Sequence, residues 1–192
     1  MKFTKIPEST FQKLQLNAGV ILRAFDPETA KVNNTDIVGA TSDNGVTFSA
    51  TPTYSDRGEG IANCPRNTME LKKLDEWDIG MSGTYRTVDA DSAKSLMAAA
   101  DVSGNKITPR NYIKVEDFEE LWWVGDYSDE NGEANGGFVA IHMLNTLNTG
   151  GFSVKSNDKG MGEFAFSYTA HYSISEQDKV PFEVYVQAGG VA

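Results

Sequence analysis

Cysteine is nearly absent from this sequence, since Cys64 is its only copy in 192 residues. A disulfide within the chain is therefore excluded, as is a metal cluster built from cysteine thiolates. Histidine is scarce too, and only His142 and His171 could serve as a catalytic base. Both lie inside segments with a strand pattern, which is typical of packed or solvated histidines. No histidine adjoins Cys64 to activate its thiol, so we expect no nucleophile–base pair and no enzyme.

Long hydrophobic runs are missing as well. No apolar stretch approaches the roughly 20 residues that cross a bilayer. The first residues, MKFTKIPESTFQKLQ, lack the apolar centre of a secretory signal. We therefore expect no membrane partner and folding in the cytoplasm.

Positive charge is in short supply. Seventeen basic residues face 27 acidic ones, which gives a formal net charge of −10. This balance disfavours a protein that grips phosphate backbones, because that affinity comes from Lys and Arg. No P-loop or dinucleotide fingerprint is found either, and no cofactor is expected.

Acids concentrate in one segment without a basic residue, between Val115 and Asn135. Its carboxylates could in principle bind calcium; the candidates are Asp126, Asp129, Glu130 and Glu133. No register supplies the ligand spacing of a calcium-binding loop, so we expect a solvated hairpin and no metal.

The dominant pattern is a period of two. Apolar residues alternate with polar ones in GVTFSATPTYSD, EWDIGMSGTYRTV, EFAFSYTAHYSI and PFEVYVQAG, and GVILRAF is a short apolar run. Such alternation predicts strands with one buried face. The turn segments NGEANGG and SNDKGMG, at 131–137 and 156–162, predict antiparallel hairpins.

One helix is predicted over about 89–100, with Asp89 or Asp91 as its cap. The segment at about 55–69 has no sustained alternation, and a loop of that length is often functional. The sequence thus predicts a mainly β protein: an antiparallel sandwich or barrel with one flanking helix, a single domain over 1–192 and an N-terminal arm over 1–15.

The neighbours Trp122 and Trp123 raise a packing question. Adjacent side chains of a strand point to opposite faces, so this pair needs cover on both sides of the sheet. We expect one indole to face the chain's own core and the other to meet the helix, a loop or a neighbouring subunit, with assembly favoured.

Four segments carry a resemblance that covers nearly the whole length. They are KLQLNAGVIL, NCPRNTMELKKLDEWDIGMSGT, LWWVGDYSDENGEANGGFVAIHMLNTLNTGGF and AHYSISEQDKVPFEVYVQAG. In number and order they resemble the major tail tube proteins of long-tailed, non-contractile bacteriophages, particularly those of Gram-positive hosts.

The resemblance implies a structural role in the virion tail. Six copies would form a ring, and rings would stack around a tape-measure protein between tail-tip and tail-terminator proteins. Genome DNA would then pass through the bore without specific binding.

Two sets of residues are assigned on this hypothesis. The lateral contact is given to strand edges and the helix at Ala93–Ala100, and the axial contact to the long loop and the N-terminal arm. The assembly candidates are Phe3, Ile6, Phe11, Arg57, Ile61, Cys64, Arg66, Leu96, Trp122 and Trp123. The candidate bore-lining acids are Asp75, Glu76, Asp78, Glu119, Glu120 and Asp126.

Two other interpretations remain open. One is a monomeric β-sandwich module that binds a cell-surface glycan through Trp122, Tyr127 and Tyr172. The other is a decoration or tail-terminator protein, which would form a ring that does not stack.

Overall fold

The computed structural model describes residues 5–7, 10, 13–128 and 134–189. Within these residues the chain forms strands, one α-helix and short 3₁₀ turns at Asn34–Asp36, Met69–Leu71 and Val115–Asp117. The elements in chain order are β1 Gln15–Leu22, β2 Thr41–Asp56, β3 Lys72–Tyr85, α1 Ala90–Met97, β4 Ala100–Ser103, β5 Lys106–Pro109, β6 Glu119–Ser128, β7 Ala134–Asn148, β8 Ser153–Lys155, β9 Glu163–Ala170 and β10 Phe182–Gln187.

Eight of these strands form one antiparallel sheet in the order β1-β6-β7-β9-β3-β2, with β10 added to β7 and β8 added to β9. The sheet curls until its two ends meet. The Val38 amide donates to the Ile21 carbonyl at 2.9 Å, and the Arg23 amide donates to the Asp36 carbonyl at 2.8 Å. The segment 36–38 is thus bonded to β1. Thr41, three residues after Val38, pairs with Tyr85 of β3. The segment 36–41 therefore connects the β1 end of the sheet to β3, and the sheet closes as a barrel.

The barrel interior is filled by the apolar half of each alternating strand. Its buried residues are Ile21, Val38, Ile79, Met81, Tyr85, Leu96, Leu121, Met143, Phe166, Tyr168 and Ala170. These positions share one parity on each strand, as the period-two pattern requires. The mainly β prediction is confirmed, and of the two architectures left open the structure shows the barrel.

Helix α1 is shorter than predicted. Asp89 caps it, because its carboxylate accepts from the Ser92 amide at 2.7 Å while the Ser92 hydroxyl accepts from the Asp89 amide at 2.8 Å. The helix ends at Met97, since Ala98 takes a left-handed φ of 61°. Ala100, predicted as its last residue, instead begins β4, which pairs with β5 in a small separate hairpin.

The predicted hairpins at both turn segments are present. Lys155, the last residue of β8, pairs with Glu163, the first residue of β9, and β6 pairs antiparallel with β7. The turn between β6 and β7 lies outside the described residues. The long loop is also present and runs from 57 to 71, between β2 and β3.

Candidate assembly surfaces

The outer face of β2, β3 and β9 carries an unusual surface, which we call the hydroxyl face. Its side chains alternate with the core-facing ones, and they comprise Thr47, Ser49, Thr51, Thr53, Glu76, Asp78, Gly80, Ser82, Thr84, Ala165, Ser167 and Thr169. Eight of these twelve carry a hydroxyl, two are acids, and none is basic or a large apolar residue. The β2 members and both acids are exposed to solvent.

Cross-strand pairing sets the order of this face. Thr47 lies opposite Ser82, and Thr51 opposite Asp78. Thr149 extends the hydroxyl pattern, because its Oγ1 lies 2.8 Å from that of Thr169. The central part of the face is thus polar, with negative charge near Glu76 and Asp78. Cations lie at its two ends: Lys73 pairs with Ser55 at one end, and Arg86 and Lys155 bind Glu163 at the other.

The predicted bore acids divide into two groups. Glu76 and Asp78 lie on the hydroxyl face. Asp75 occupies a register shift beside it, where a hydrogen bond from Lys73 at 2.8 Å holds the pKa of its carboxyl below the usual value. The structure does not bring the β6 acids Glu119, Glu120 and Asp126 near them, because β9 and β7 intervene in the sheet.

Glu119 needs a correction in particular. Its carboxylate is paired with Arg23 at 2.9 Å and accepts from the Ser95 hydroxyl beside α1. A carboxylate that already has these partners within its own chain is not a free charge for a bore wall. Glu120 contacts His142 at 3.0 Å, and Asp126 is exposed.

The second surface is the far part of the β2–β3 hairpin, residues 53–76, which we call the arm. Strand β9 pairs with β3 only at Gly80–Tyr85, so among the described strands β3 has β2 alone as its partner farther out. From Lys72 to Trp77 the arm extends over about 17 Å at the usual rise per residue.

The tip loop, residues 57–71, has its own internal order. The Asp56 carboxylate accepts from the amides of Gly58 and Asn67, both at 2.9 Å, which lowers the pKa of that carboxyl. A Cβ on Gly58 would come within 2.8 Å of both Cys64 Sγ and Leu71, so these side chains pack on the bare glycine.

Four predicted assembly residues therefore share this loop: Arg57, Ile61, Cys64 and Arg66. The N-terminal candidate Ile6 is exposed, while Phe3 and Phe11 lie outside the described residues.

Three of the assembly candidates lie against their own chain. Leu96 is 0% exposed and packs in the barrel interior with Tyr168, so it is not available to a partner, and α1 offers no apolar lateral face through it. Trp122 is 7% exposed and stacks on His142 with ring centroids 3.9 Å apart. Trp123 is half-buried, and its indole donates to the Ala18 carbonyl at 2.9 Å.

Both indoles thus find cover inside one chain. Trp123 lies toward the barrel interior, and Trp122 belongs to a second cluster on the outer face of β6. That cluster is closed by Phe25, from the segment after β1, which lies 5.6 Å from Trp122 and 5.3 Å from Phe138 between ring centroids. Trp122 therefore needs no neighbouring subunit to cover it, while Trp123 stays half-buried.

A third surface is an apolar groove beside the foot of the arm. It encloses a cavity of about 410 Å³ lined by Val115, Phe118, Asn145, His171, Tyr172, Ser173 and Ile174. The Trp77 amide donates to the Tyr172 hydroxyl at 3.0 Å, which fixes the groove to the start of the arm.

The two histidines considered as catalytic bases make structural contacts. Among the described residues, the contacts of His142 are Glu120, Glu183 and Trp122, and those of His171 are Asn145 and Phe118. Neither set includes a hydroxyl or a thiol. Across residues 13–128 and 134–189, no group of three His, Cys, Asp or Glu side chains is arranged to hold a metal ion. Of the four calcium candidates, only Asp126 lies within the described residues.

No helix in the described part of the chain has the length and apolar character to cross a membrane.

No protein-family model matches the chain, and no curated protein sequence matches it. Among solved structures, the fold is similar to a chain from the tail of an empty GTA particle, obtained with helical refinement and C6 symmetry. The two share 10% identity with a TM-score of 0.41, over 81% of this chain and 92% of the other. The likeness is one of β-rich architecture, and the functional proposal rests on this chain's own residues.

Two of the three surfaces were missed at the sequence level. The hydroxyl face was visible as the polar half of TFSATPT, since Thr47, Ser49 and Thr51 alternate with the apolar residues that indicated the strand. The groove had no such signal, because its lining comes from three separate segments that only the fold brings together.

Proposed function

We propose that this protein self-assembles into hexameric rings, which stack into the tail tube of a long-tailed, non-contractile bacteriophage, of the type that infects Gram-positive hosts. The tube is the conduit for DNA ejection. The observation that carries the proposal is the hydroxyl face: twelve neighbouring positions without a basic residue, on a chain whose net charge is −10. The basic residues Lys73, Arg86 and Lys155 lie only at the two ends of this face. The resemblance of four sequence segments to tail tube proteins supports it.

The hydroxyl face is the bore wall in this proposal. DNA that must slide over a long distance is slowed by every Lys or Arg that binds a phosphate. Short hydroxyl side chains keep the wall hydrated without supplying such a cation. Glu76 and Asp78 add a repulsion that is screened over about 8 Å at physiological salt, which centres the duplex without blocking it.

The lateral contact is assigned to strand edges. Strand β10 pairs only with β7 among the described strands, and it carries the exposed residues Val184 and Val186. An unpaired edge with apolar side chains invites a further strand. Six such contacts related by rotation close a ring and leave the edge covered.

The axial contact is assigned to the tip loop, through Arg57, Ile61, Cys64 and Arg66, with the N-terminal residues Phe3, Ile6 and Phe11. The arm is held away from the barrel and presents exposed apolar side chains at its end. Such a contact joins two different surfaces and therefore repeats along an axis.

The remaining partners follow from the tube. The tape-measure protein occupies the bore during assembly, tail-tip and tail-terminator proteins close the two ends, and the protein is made in the host cytoplasm and resides in the virion tail. The role is structural, and no cofactor or catalytic residue is proposed.

The test uses the pairing of Asp56 with Lys72, the last pair before the tip loop. Replacing residues 57–71 by Asn-Gly closes the hairpin with a favourable two-residue turn. We expect this variant to keep the circular-dichroism spectrum of the fold but to form no tubes by negative-stain electron microscopy.

The matched control shortens another hairpin in the same way. Lys155 and Glu163 are also paired, so Asn-Gly can replace residues 156–162. This control is expected to form tubes. Tubes of normal length from the tip-loop variant would overturn the axial assignment, and an unaltered protein that stays monomeric at high concentration would overturn the proposed function.

The glycan-binding alternative loses one of its three named aromatic residues. Trp122 is covered by Phe25 and His142, so its indole is not free to stack on a sugar ring.

A further inference from the structure

The groove beside the arm leaves a large apolar area exposed in a single copy. Val115 is 84% exposed and Ile174 is 89% exposed, and both lie next to the half-buried Phe118. Contiguous apolar side chains around a cavity mark an interaction surface more often than scattered ones do. This exposed apolar surface is therefore suited to contact a partner.

The tip loop protrudes where the groove is concave, and both expose apolar side chains. Ile61 is 58% exposed and Met69 is 80% exposed, at the end of a protruding hairpin. Both side chains expose apolar surface on the protruding loop, whereas the groove is a concave apolar surface.

The two surfaces also differ in charge. The tip loop, residues 57–71, contains two basic and two acidic residues, whereas the groove segments 112–120 and 171–179 contain two basic and six acidic ones. In the described part of the chain, Arg57 and Arg66 of the tip form no ion pair, and neither do Glu116, Glu176 and Asp178 beside the groove. Opposite charges around an apolar contact set its orientation and partner.

A chain cannot fill its own groove with its own tip. The groove is fixed to the foot of the arm at Trp77, and the paired strands hold the tip about 17 Å farther out. The matching tip loop must therefore come from another copy. We propose that the groove receives the tip loop of a second copy of this chain, with Ile61 and Met69 against Val115 and Ile174 and the tip arginines facing the groove acids.

This inference rests on the proposed function, because it names the receptor of the axial contact. The contact is head-to-tail, since the surface that binds is not the surface that is bound. Each added copy presents a fresh groove at one end and a fresh tip at the other, which is the condition for a stack without a fixed length.

The first experiment uses Cys64, the single cysteine of the chain, which lies in the tip loop. Ser175→Cys places a second thiol on an exposed position next to Ile174. Treating assembled protein with a short flexible bis-maleimide is expected to give a ladder of covalently linked copies on a denaturing gel. The control Val154→Cys, on exposed β8, is expected to give none.

The second experiment reverses charges and needs no thiol. Arg57→Glu with Arg66→Glu is expected to lower the assembled fraction about tenfold or more, measured by sedimentation. Adding Glu176→Lys with Asp178→Lys to that variant is expected to restore assembly. Val154→Lys in place of the groove substitutions is the matched control and is expected to restore nothing.

The outcomes separate the two claims. Equal cross-linking at Ser175→Cys and Val154→Cys in assembled tubes would contradict the proposed groove contact. Recovery of assembly with Val154→Lys as well as with the groove lysines would contradict it too. Either result would leave the proposal of a tube intact. Protein that never assembles would overturn both. A ladder confined to Ser175→Cys together with rescue confined to the groove lysines establishes the receptor.

Discussion

At the scale of single residues, the barrel depends on a tyrosine whose polar end is buried. Tyr168 is fully buried, and its hydroxyl lies 2.7 Å from that of Ser95 on α1. Burial raises the pKa of Tyr168 to about 12, because the phenolate would lose its hydration. The side chain thus joins the helix to the barrel only while it stays protonated.

Tyr168→Phe is expected to destabilise the fold by about 1 kcal/mol, because Ser95 loses a buried partner. Tyr112→Phe, at an exposed tyrosine, is the control and should change the free energy of unfolding by less than about 0.5 kcal/mol. Urea unfolding monitored by tryptophan fluorescence measures both. Equal stabilities for the two variants would contradict the account.

The pH dependence of stability in alkali tests the role of Tyr168 in the native chain. A folded-state pKa above the unfolded value of about 10 contributes stability that is complete below pH 10 and is lost as pH rises toward 12. The stability of Tyr168→Phe should fall less steeply over this interval. Parallel curves for the two proteins would show that Tyr168 does not carry the effect.

Gly19 is a second residue on which the packing of the barrel depends. Its φ is +68°, and an added Cβ would lie 2.6 Å from Trp123 Nε1. Gly19→Ala therefore combines backbone strain with a steric clash, and we expect it to cost about 3 kcal/mol. Gly104→Ala has a similar φ of +60° and open space around the Cβ, so it should cost about 1 kcal/mol. Denaturant midpoints compare the two, and equal losses would mean that contact with the Trp123 indole adds nothing.

At the scale of elements, the helix depends on its first turn. Asp89→Ala removes the carboxylate that accepts the Ser92 amide, and a lost cap costs about 1 kcal/mol. The matched control is Asp91→Ala, an exposed acid in the same turn, which should cost less. Thermal unfolding followed by circular dichroism measures both, and equal losses would contradict the cap assignment.

The Asp89 cap also predicts a pH dependence. The amide hydrogen bond from Ser92 lowers the pKa of the Asp89 carboxyl below 3.8. Its contribution is therefore present above about pH 4 and is lost as pH falls through the lowered value. The difference in stability between the native chain and Asp89→Ala should shrink in acid, and a difference that stays constant down to pH 2 would contradict this.

Strand alternation explains why most elements could be predicted from the sequence and others could not. Strands β2, β3, β9 and β10 were predicted, because each buries one face on a core and so repeats with period two. Strands β4 and β5 were not predicted, since each has only four residues and the pair lies outside the main sheet. The end of α1 was misplaced because Ala98, a strong helix former, is held in a left-handed conformation by the fold.

The tryptophan pair shows a different limit of sequence reasoning. The inference that both faces of β6 need cover was sound, and both faces are covered. Of the covers left open, the structure shows a loop and not the favoured neighbouring subunit, because Phe25 comes from a segment between β1 and β2 without a periodic pattern. Local periodicity reports which side chains need partners, but it does not report which distant segment supplies them.

At the scale of the whole molecule, the proposed tube makes the hydroxyl face an inner surface. Thr51→Cys in a Cys64→Ser background should react with both a small maleimide and a bulky polymer-linked one in the monomer. In assembled protein, the small reagent should react while the bulky one is excluded. Val154→Cys in the same background is the control on exposed β8, and it should accept both reagents in both states. Free access of the bulky reagent to Thr51→Cys in tubes would place the face outside.

The most direct measurement is an electron-microscopy reconstruction of the purified protein at high concentration. We expect hollow tubes of stacked six-fold rings, with Thr47, Thr51, Glu76 and Asp78 on the inner wall. Tubes with these residues on the outer surface, or a protein that remains monomeric at every concentration, would contradict it.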